Sequence, residues 1–182
     1  MNIGGEKMKV IFLDFDGVIN NWNHFNGVDF ENAQILKTII NLTNAKVVAT
    51  TSNKYSLQGG GSIDYYSSIY YNNYVKYLNE LGIEIYDITP FVNKDRTLEI
   101  KKYLMEHDIK QYVIIDDEVI GEELQDHQVF LDLYKGLQKE HVLPTLKILN
   151  GQLGFYQPDY NREETAEELV YRINKYYNQF KK

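Results

Sequence analysis

The sequence predicts an α/β domain built on a mainly parallel sheet that helices cover on both faces. Two observations carry this prediction. Short apolar runs, each long enough for one buried strand, alternate along the chain with amphipathic segments of helical length. Several of those runs end in acidic or hydroxyl side chains. In parallel sheets, functional sites form at the carboxyl ends of the strands.

The first half of the chain supplies two strands and two helices of this pattern. The run Val10–Leu13 predicts a buried strand, and Asp29–Leu42 carries apolar residues at helical spacing after an aspartate that suits an N-cap. Lys46–Ala49 predicts the second strand. A helix over Tyr70–Leu81 is expected to end at Gly82, because glycine suits a helix C-terminus.

The second half repeats the alternation. Its predicted strands are Ile83–Ile88, Tyr112–Ile115 and Val129–Leu131, and its predicted helices are Arg96–His107, Glu140–Leu149 and Arg162–Phe180. We expect residues 1–8 to form a leader and residues 9–182 to form one domain. Within it, residues 9–149 would be the core and residues 150–182 a C-terminal helical extension.

Composition narrows the class of protein. The 182 residues suffice for one sizeable core, and a net charge of -7 argues against a broad basic surface for duplex nucleic acid. The chain has no cysteine, which rules out disulfides, thiolate catalysis and cysteine-ligated zinc. No apolar run reaches the ~18 residues of a membrane span, and no signal-peptide pattern opens the chain. We therefore expect a cytoplasmic protein, and its oligomeric state stays undetermined.

Tyrosines and glycines crowd one segment of the chain. Residues 56–68 include three consecutive glycines, which is typical of a flexible loop, and seven tyrosines fall within residues 55–77. In a helix that starts at Ser68, Tyr70, Tyr74 and Tyr77 would share a face and pack on the core. The other tyrosines would pack too, stack on bases or form a partner interface, and the sequence leaves these alternatives open.

Polar side chains follow three of the predicted strands at the point where each strand ends. Asp14 and Asp16 follow the first, Thr50, Thr51 and Ser52 follow the second, and Asp116 and Asp117 follow the strand "YVII". Because the carboxyl ends of parallel strands meet at one edge of a sheet, we expect these side chains to lie close together.

This set of residue types predicts a metal-assisted phosphoryl transfer. Four carboxylates in one crevice repel each other unless their pKa values rise or a cation binds. Oxygen ligands suit a hard ion such as Mg²⁺, which typically keeps waters and a phosphate oxygen as further ligands. Mg²⁺ beside hydroxyls and a basic side chain is the equipment of phosphoryl transfer. Gly17 would let the backbone turn tightly beside the bound anion.

Four short motifs give the chain a family resemblance. "DFDGVIN", "VVATTS", "DRTLEI" and "YVIIDDE" resemble, in order and spacing, the four motifs of the haloacid dehalogenase (HAD) superfamily of phosphohydrolases. The resemblance covers roughly residues 9–149. It is closest to the short, capless HAD domains related to those of multidomain RNA repair proteins, and it implies their Rossmann-like fold.

The resemblance also implies a role for each motif. Asp14 would be the nucleophile that becomes an aspartyl phosphate, and Asp16 would protonate the leaving oxygen and then activate water. The carboxylates of Asp14, Asp116 and Asp117 and the backbone carbonyl of Asp16 would hold Mg²⁺. Thr51 would donate its hydroxyl to the phosphoryl group, with Thr50 as the alternative. The remaining candidates are Ser52 and Gly17 for substrate binding and Arg96 or Lys94 for neutralising phosphoryl charge.

Two departures from the family pattern stand out. The third motif normally carries a lysine, whereas "RTLEI" puts Arg96 there, with Lys94 two residues before it. The second motif is followed by Asn53 and Lys54, where these short domains often carry Trp-Arg. The first departure leaves Arg96 and Lys94 as alternatives, and the second concerns how the leaving group is held.

The spacing of the motifs leaves no room for a full cap domain in residues 20–45 or 54–93, so we expect an open site with a minimal loop cap. We expect a Mg²⁺-dependent phosphomonoesterase whose substrate is a nucleotide, a nucleic-acid end or another bulky phosphoester. The alternative is a catalytically silent binding module that uses the tyrosine-rich segment as a partner surface. A receiver-type signalling domain fits less well, because here the DxD pair comes first and the adjacent acidic pair late.

Overall fold

The computed structural model describes residues 8–21, 27–57, 65–157 and 165–179. The predicted leader, apart from Met8, and the three consecutive glycines lie outside the described residues. None of the helices in the described part of the chain combines the length and the apolar character that crossing a membrane requires.

The centre of the fold is a five-stranded sheet in which all paired strands are parallel. The strands are β1 (Lys9–Leu13), β2 (Lys46–Ala49), β3 (Ile85–Ile88), β4 (Gln111–Asp116) and β5 (Gln128–Phe130), and their order in the sheet is β3-β2-β1-β4-β5. The sequence order of the strands reverses direction between β1 and β4, and the carboxyl ends of these two strands carry Asp14 and Asp116. A crevice at such a point is where α/β sheets bind ligands.

Within the described residues, five α-helices connect and flank the strands. They are α1 (Phe30–Thr43), α2 (Tyr65–Glu80), α3 (Arg96–His107), α4 (Val142–Leu149) and α5 (Ala166–Asn178). Asp29 caps α1 as the sequence predicts, accepting a hydrogen bond from the Asn32 N–H, and Thr165 caps α5 with a reciprocal bond from Glu168. The helices surround the sheet, which confirms the predicted Rossmann-like α/β fold.

The strands bury side chains on both faces, as continuous apolar runs require. On one face, Ile11 and Leu13 of β1 join a large core to which α1, α2, α4 and α5 contribute. On the other face, Phe12 joins a smaller core with Ile100 and Tyr103 of α3. Helix α3 therefore lies alone among the five α-helices on its face, and its first turn reaches the carboxyl ends of β1 and β4.

The structure corrects the prediction for α2, which begins at Tyr65 and not at Tyr70. Its inward stripe also differs from the predicted one: Tyr74 is buried, but Tyr70 and Tyr77 are about half exposed, and Tyr71 packs inward instead. Burial of Tyr71 and Tyr74 against Phe15 supplies tertiary packing that outweighs the weak helix propensity of this polar segment.

Candidate active site

The ends of β1, β2 and β4 bring three polar residues to one level of the sheet. Asp14 directly follows β1, and its N–H donates to the Ile115 carbonyl of β4 at 3.1 Å. Thr50 directly follows β2, and its N–H donates to the Leu13 carbonyl at 2.8 Å. Asp116 is the last residue of β4. The backbone hydrogen bonds of the sheet therefore hold Asp14 between Thr50 and Asp116.

Three carboxylates meet in this crevice. Asp14, Asp116 and Asp117 each place one oxygen within 4.8 Å of the others. Burial raises the pKa of Asp14, and Arg96 offsets only part of that effect. Burial and the neighbouring Asp14 charge likewise raise the pKa of Asp116 well above its ordinary value and that of Asp117 to about 6. Burial thus makes it costly for all three carboxyls to be ionised together unless a cation lies beside them.

Arg96 is the basic side chain that contacts these carboxylates. It opens α3 directly after the N-cap Asp95, and its Nη1 lies 3.0 Å from Asp14 Oδ2 and 2.6 Å from Asp116 Oδ2. Burial alone would lower the pKa of Arg96, but the two aspartates outweigh burial and raise it above its ordinary value. Lys94 is exposed in a left-handed turn, and none of the ion pairs among the described residues joins it to an aspartate.

The hydroxyl residues after β2 differ in their surroundings. Thr50 and Thr51 are fully buried, whereas Ser52 is exposed. The Thr51 hydroxyl oxygen accepts a weak hydrogen bond from the Asn53 N–H at 3.4 Å. The Thr50 hydroxyl has no hydrogen-bond partner in the described part of the chain. By strand alternation Thr50 shares the face of the sheet on which Asp14 and Asp116 lie.

Asp16 takes a separate position at the rim of the site. Its side chain is exposed, and its carboxylate is not among the three clustered ones. Oδ1 accepts hydrogen bonds from the Tyr74 hydroxyl at 2.7 Å and from Asn20 Nδ2 at 3.0 Å, and Oδ2 accepts one from Asn53 Nδ2 at 2.9 Å. Sequence reasoning missed Tyr74 and Asn20 as site residues, and it singled out Asn53 only as a departure from the family pattern.

Gly17 makes the turn between these two sets of carboxylates. Its φ is +68°, in the left-handed region that favours glycine, as the sequence predicts for a tight turn. A Cβ on Gly17 would collide with the Asp117 carboxylate. The Gly17 N–H donates to Asn20 Oδ1 at 2.8 Å. Glycine therefore lets the first and last motifs approach each other.

A buried ion pair links two of the segments that form the crevice. Lys54 Nζ lies 2.6 Å from Glu99 Oε2 and donates to the Thr50 carbonyl at 3.3 Å, and both charged side chains are fully buried. Glu99 Oε1 also accepts a hydrogen bond from the Val92 N–H. Since Glu99 is one turn after Arg96, the pair ties the segment after β2 to the helix that carries Arg96. The sequence gives no signal for this pairing across 45 residues.

Fold and crevice together define a class: an α/β protein with an acidic strand-end site, in which a buried aspartate stands beside an arginine and two further carboxylates. The comparison with protein families agrees. The family model of the HAD domain in Swiss Army Knife RNA repair proteins matches residues 10–142, and the chain belongs to this family. At the level of the superfamily this is a phosphohydrolase fold. No curated protein and no solved structure matches the chain significantly.

Proposed function

We propose that the chain is a Mg²⁺-dependent phosphomonoester hydrolase that works through an aspartyl phosphate on Asp14. One observation carries the proposal: the guanidinium of Arg96 contacts both Asp14 and Asp116 in a buried crevice at the strand ends. A buried carboxylate beside a fixed positive group suits attack on an anionic phosphoryl group, because that group would otherwise be repelled.

The reaction proceeds in two steps. A carboxylate oxygen of Asp14 attacks phosphorus, a new phosphorus–oxygen bond forms, and the bond to the leaving oxygen breaks while Asp16 gives that oxygen its proton. Asp16, now a carboxylate, then takes a proton from a water molecule that attacks the same phosphorus. Phosphate leaves, and the carboxylate of Asp14 is restored with Asp16 protonated again.

The clustered carboxylates fit a divalent cation. Asp14, Asp116 and Asp117 offer three oxygens within 4.8 Å of one another, and oxygen ligands are those that Mg²⁺ prefers. Burial raises the pKa of all three carboxyls, and a bound cation would favour their ionised forms instead. These residues would hold the ion, with the backbone carbonyl of Asp16 as the ligand that the family implies. When bound, Mg²⁺ supplies positive charge to the phosphoryl oxygens.

The phosphoryl oxygens need donors from the chain as well. We assign this role to Thr50 in preference to Thr51, because its buried hydroxyl lacks a hydrogen-bond partner among the described residues and lies on the face of Asp14. Arg96 is preferred to Lys94 because it contacts the proposed nucleophile, and Ser52 and Gly17 remain candidates for substrate contact.

The proposed substrate is a phosphorylated nucleotide or nucleic-acid end. Two observations support it: the family is named after RNA repair proteins, and the described residues between the motifs include no large cap. A net charge of -7 favours recognition of an end over wrapping of a long duplex.

The test is hydrolysis of 4-nitrophenyl phosphate with and without Mg²⁺ by the wild type and by Asp14→Asn, with circular dichroism to show that both fold. The proposal expects Mg²⁺-dependent turnover that the variant loses. A panel of oligonucleotides with 5′- or 3′-phosphates then identifies the preferred end. Turnover that survives in Asp14→Asn would refute the mechanism, and no turnover on any phosphoester would favour the silent binding module.

A further inference from the structure

Asp16 is exposed at the rim of the site, yet hydrogen bonds hold both of its carboxylate oxygens. The donors come from three separate segments: Asn20 in the turn after β1, Asn53 in the segment after β2, and Tyr74 in α2. An exposed aspartate side chain ordinarily moves among several rotamers. These three contacts instead select one direction for the Asp16 carboxylate.

Asn20 is itself held in a fixed orientation. Its Oδ1 accepts the Gly17 N–H at 2.8 Å, so its Nδ2 must point the other way, toward Asp16 Oδ1 and the Tyr74 oxygen. Asn20 is 2% exposed, which protects these bonds from competition by water. The amide therefore connects the glycine turn, the aspartate and the tyrosine.

Tyr74 is fixed by packing. It is 3% exposed, and its ring lies against Phe15, the residue between the two aspartates, with the ring centroids 5.2 Å apart. Tyr71, about one turn before it on α2, stacks on the same phenylalanine at 5.7 Å. A phenol is protonated throughout the neutral pH range, so its hydroxyl can donate to the carboxylate. Helix α2 is thus anchored over the turn that carries both aspartates.

We propose that Tyr74 and Asn20 are positioning residues that aim the Asp16 carboxyl at the leaving oxygen. This inference rests on the proposed function. It follows from the geometry because Asp14 needs no such help: the sheet, Phe15 and Arg96 already hold it. Asp16 lies two residues after Asp14, whose N–H bonds to the sheet, and the direction of its carboxylate depends on the side chains around it.

The role has a kinetic consequence that depends on the leaving group. A general acid matters most when the leaving oxygen is a poor leaving group, and little when the leaving group departs readily without a proton. The ratio kcat/KM reports only steps up to departure of the leaving group, because this first chemical step is irreversible once the alcohol diffuses away. A later slow hydrolysis of the aspartyl phosphate therefore does not mask the effect.

The experiment compares kcat/KM for benzyl phosphate, with a poor leaving group, and for 4-nitrophenyl phosphate, with a good one. The variants are Tyr74→Phe, Asp16→Asn as the reference for loss of the acid, and Tyr77→Phe as a matched control on the same helix. Tyr77 is 46% exposed. We expect Tyr74→Phe to lower kcat/KM at least about 10-fold on benzyl phosphate and less than about 2-fold on 4-nitrophenyl phosphate, a smaller version of the pattern for Asp16→Asn. Tyr77→Phe should match the wild type on both.

The pattern of loss on the two substrates separates a positioning role of Tyr74 from a purely structural one. An equal loss on the two substrates would mean that Tyr74 only stabilises the fold, and no loss on either would mean that Asp16 does not need the tyrosine; both overturn the positioning role. If the wild type is active and Tyr74→Phe is equally active, the positioning role fails but the proposed phosphatase function stands. A wild type without turnover on either substrate, or on the phosphorylated oligonucleotides, removes the proposed function and the positioning role with it.

Discussion

Replacing Lys54 by methionine is expected to destabilise the protein severely. The Lys54–Glu99 pair is fully buried, with a separation of 2.6 Å, and burial lowers the pKa of Lys54 even though Glu99 opposes that effect. Methionine has a similar volume, so the main consequence is a Glu99 carboxylate that stays buried without its cation. Removing one partner of a buried pair costs about 3–5 kcal/mol, a large part of the roughly 5–15 kcal/mol by which a domain is stable.

Urea unfolding followed by circular dichroism measures this loss. The double variant Lys54→Met/Glu99→Gln should recover much of it, because glutamine is neutral and its oxygen can still accept the Val92 N–H. Lys101→Met is the control, since its pair with Glu123 has a similar separation of 2.8 Å but is about half exposed, and we expect little change. A loss under about 1 kcal/mol for Lys54→Met, or a double variant no more stable than the single one, would mean that the buried Glu99 charge does not need Lys54.

Three further predictions concern pH, the glycine turn and the metal. Burial lowers the pKa of His141 to about 3, below the 6.5 of the unfolded chain. As the pH falls from about 6.5 towards 3, the unfolded state binds a proton that the folded state does not bind. The free energy of unfolding should therefore fall by about 1.4 kcal/mol per pH unit over this range. His141→Asn should remove this slope in urea unfolding at neutral and mildly acidic pH, and an unchanged slope would argue against a buried neutral histidine. Gly17→Ala should lower the free energy of unfolding by about 1–2 kcal/mol and weaken Mg²⁺ binding in calorimetric titration, because Gly17 has a positive φ and a Cβ there would collide with Asp117. Gly154 has open surroundings, so Gly154→Ala should change neither quantity. Mg²⁺ should raise the melting temperature of the wild type but not of Asp116→Asn, because only a folded carboxylate cluster binds it, and equal shifts would place the ion elsewhere.

The local pattern of the sequence predicts the sheet and the strand-end aspartates well. An apolar run that ends in a carboxylate is a property of a few adjacent residues, and parallel pairing then brings Asp14 and Asp116 together without further information. The choice between Arg96 and Lys94 needs more than spacing. It depends on the N-cap at Asp95, which starts the helix there, whereas Lys94 lies outside the helix in an exposed left-handed turn.

Contacts between distant segments are what the sequence does not reveal. Lys54 and Glu99 are 45 residues apart, and nothing near either one indicates that both are buried. Tyr74 is buried at its predicted packing position, and its ring and its hydroxyl make different contacts. Only the tertiary fold shows that the hydroxyl reaches Asp16. Periodicity alone placed Tyr70 and Tyr77 in the core, whereas the helix turns them toward solvent.

The most direct test of the proposed aspartyl phosphate on Asp14 is to identify the residue that is phosphorylated during turnover. The wild type is mixed with an excess of substrate and Mg²⁺, quenched in acid within the first turnovers, digested with pepsin and analysed by mass spectrometry. We expect a phosphoryl group on Asp14 that is absent from Asp14→Asn. It should increase in Asp16→Asn on a substrate with a good leaving group, because hydrolysis of the intermediate slows without its base. Turnover with no phosphorylated peptide, or with the phosphoryl group on another residue, would contradict the mechanism.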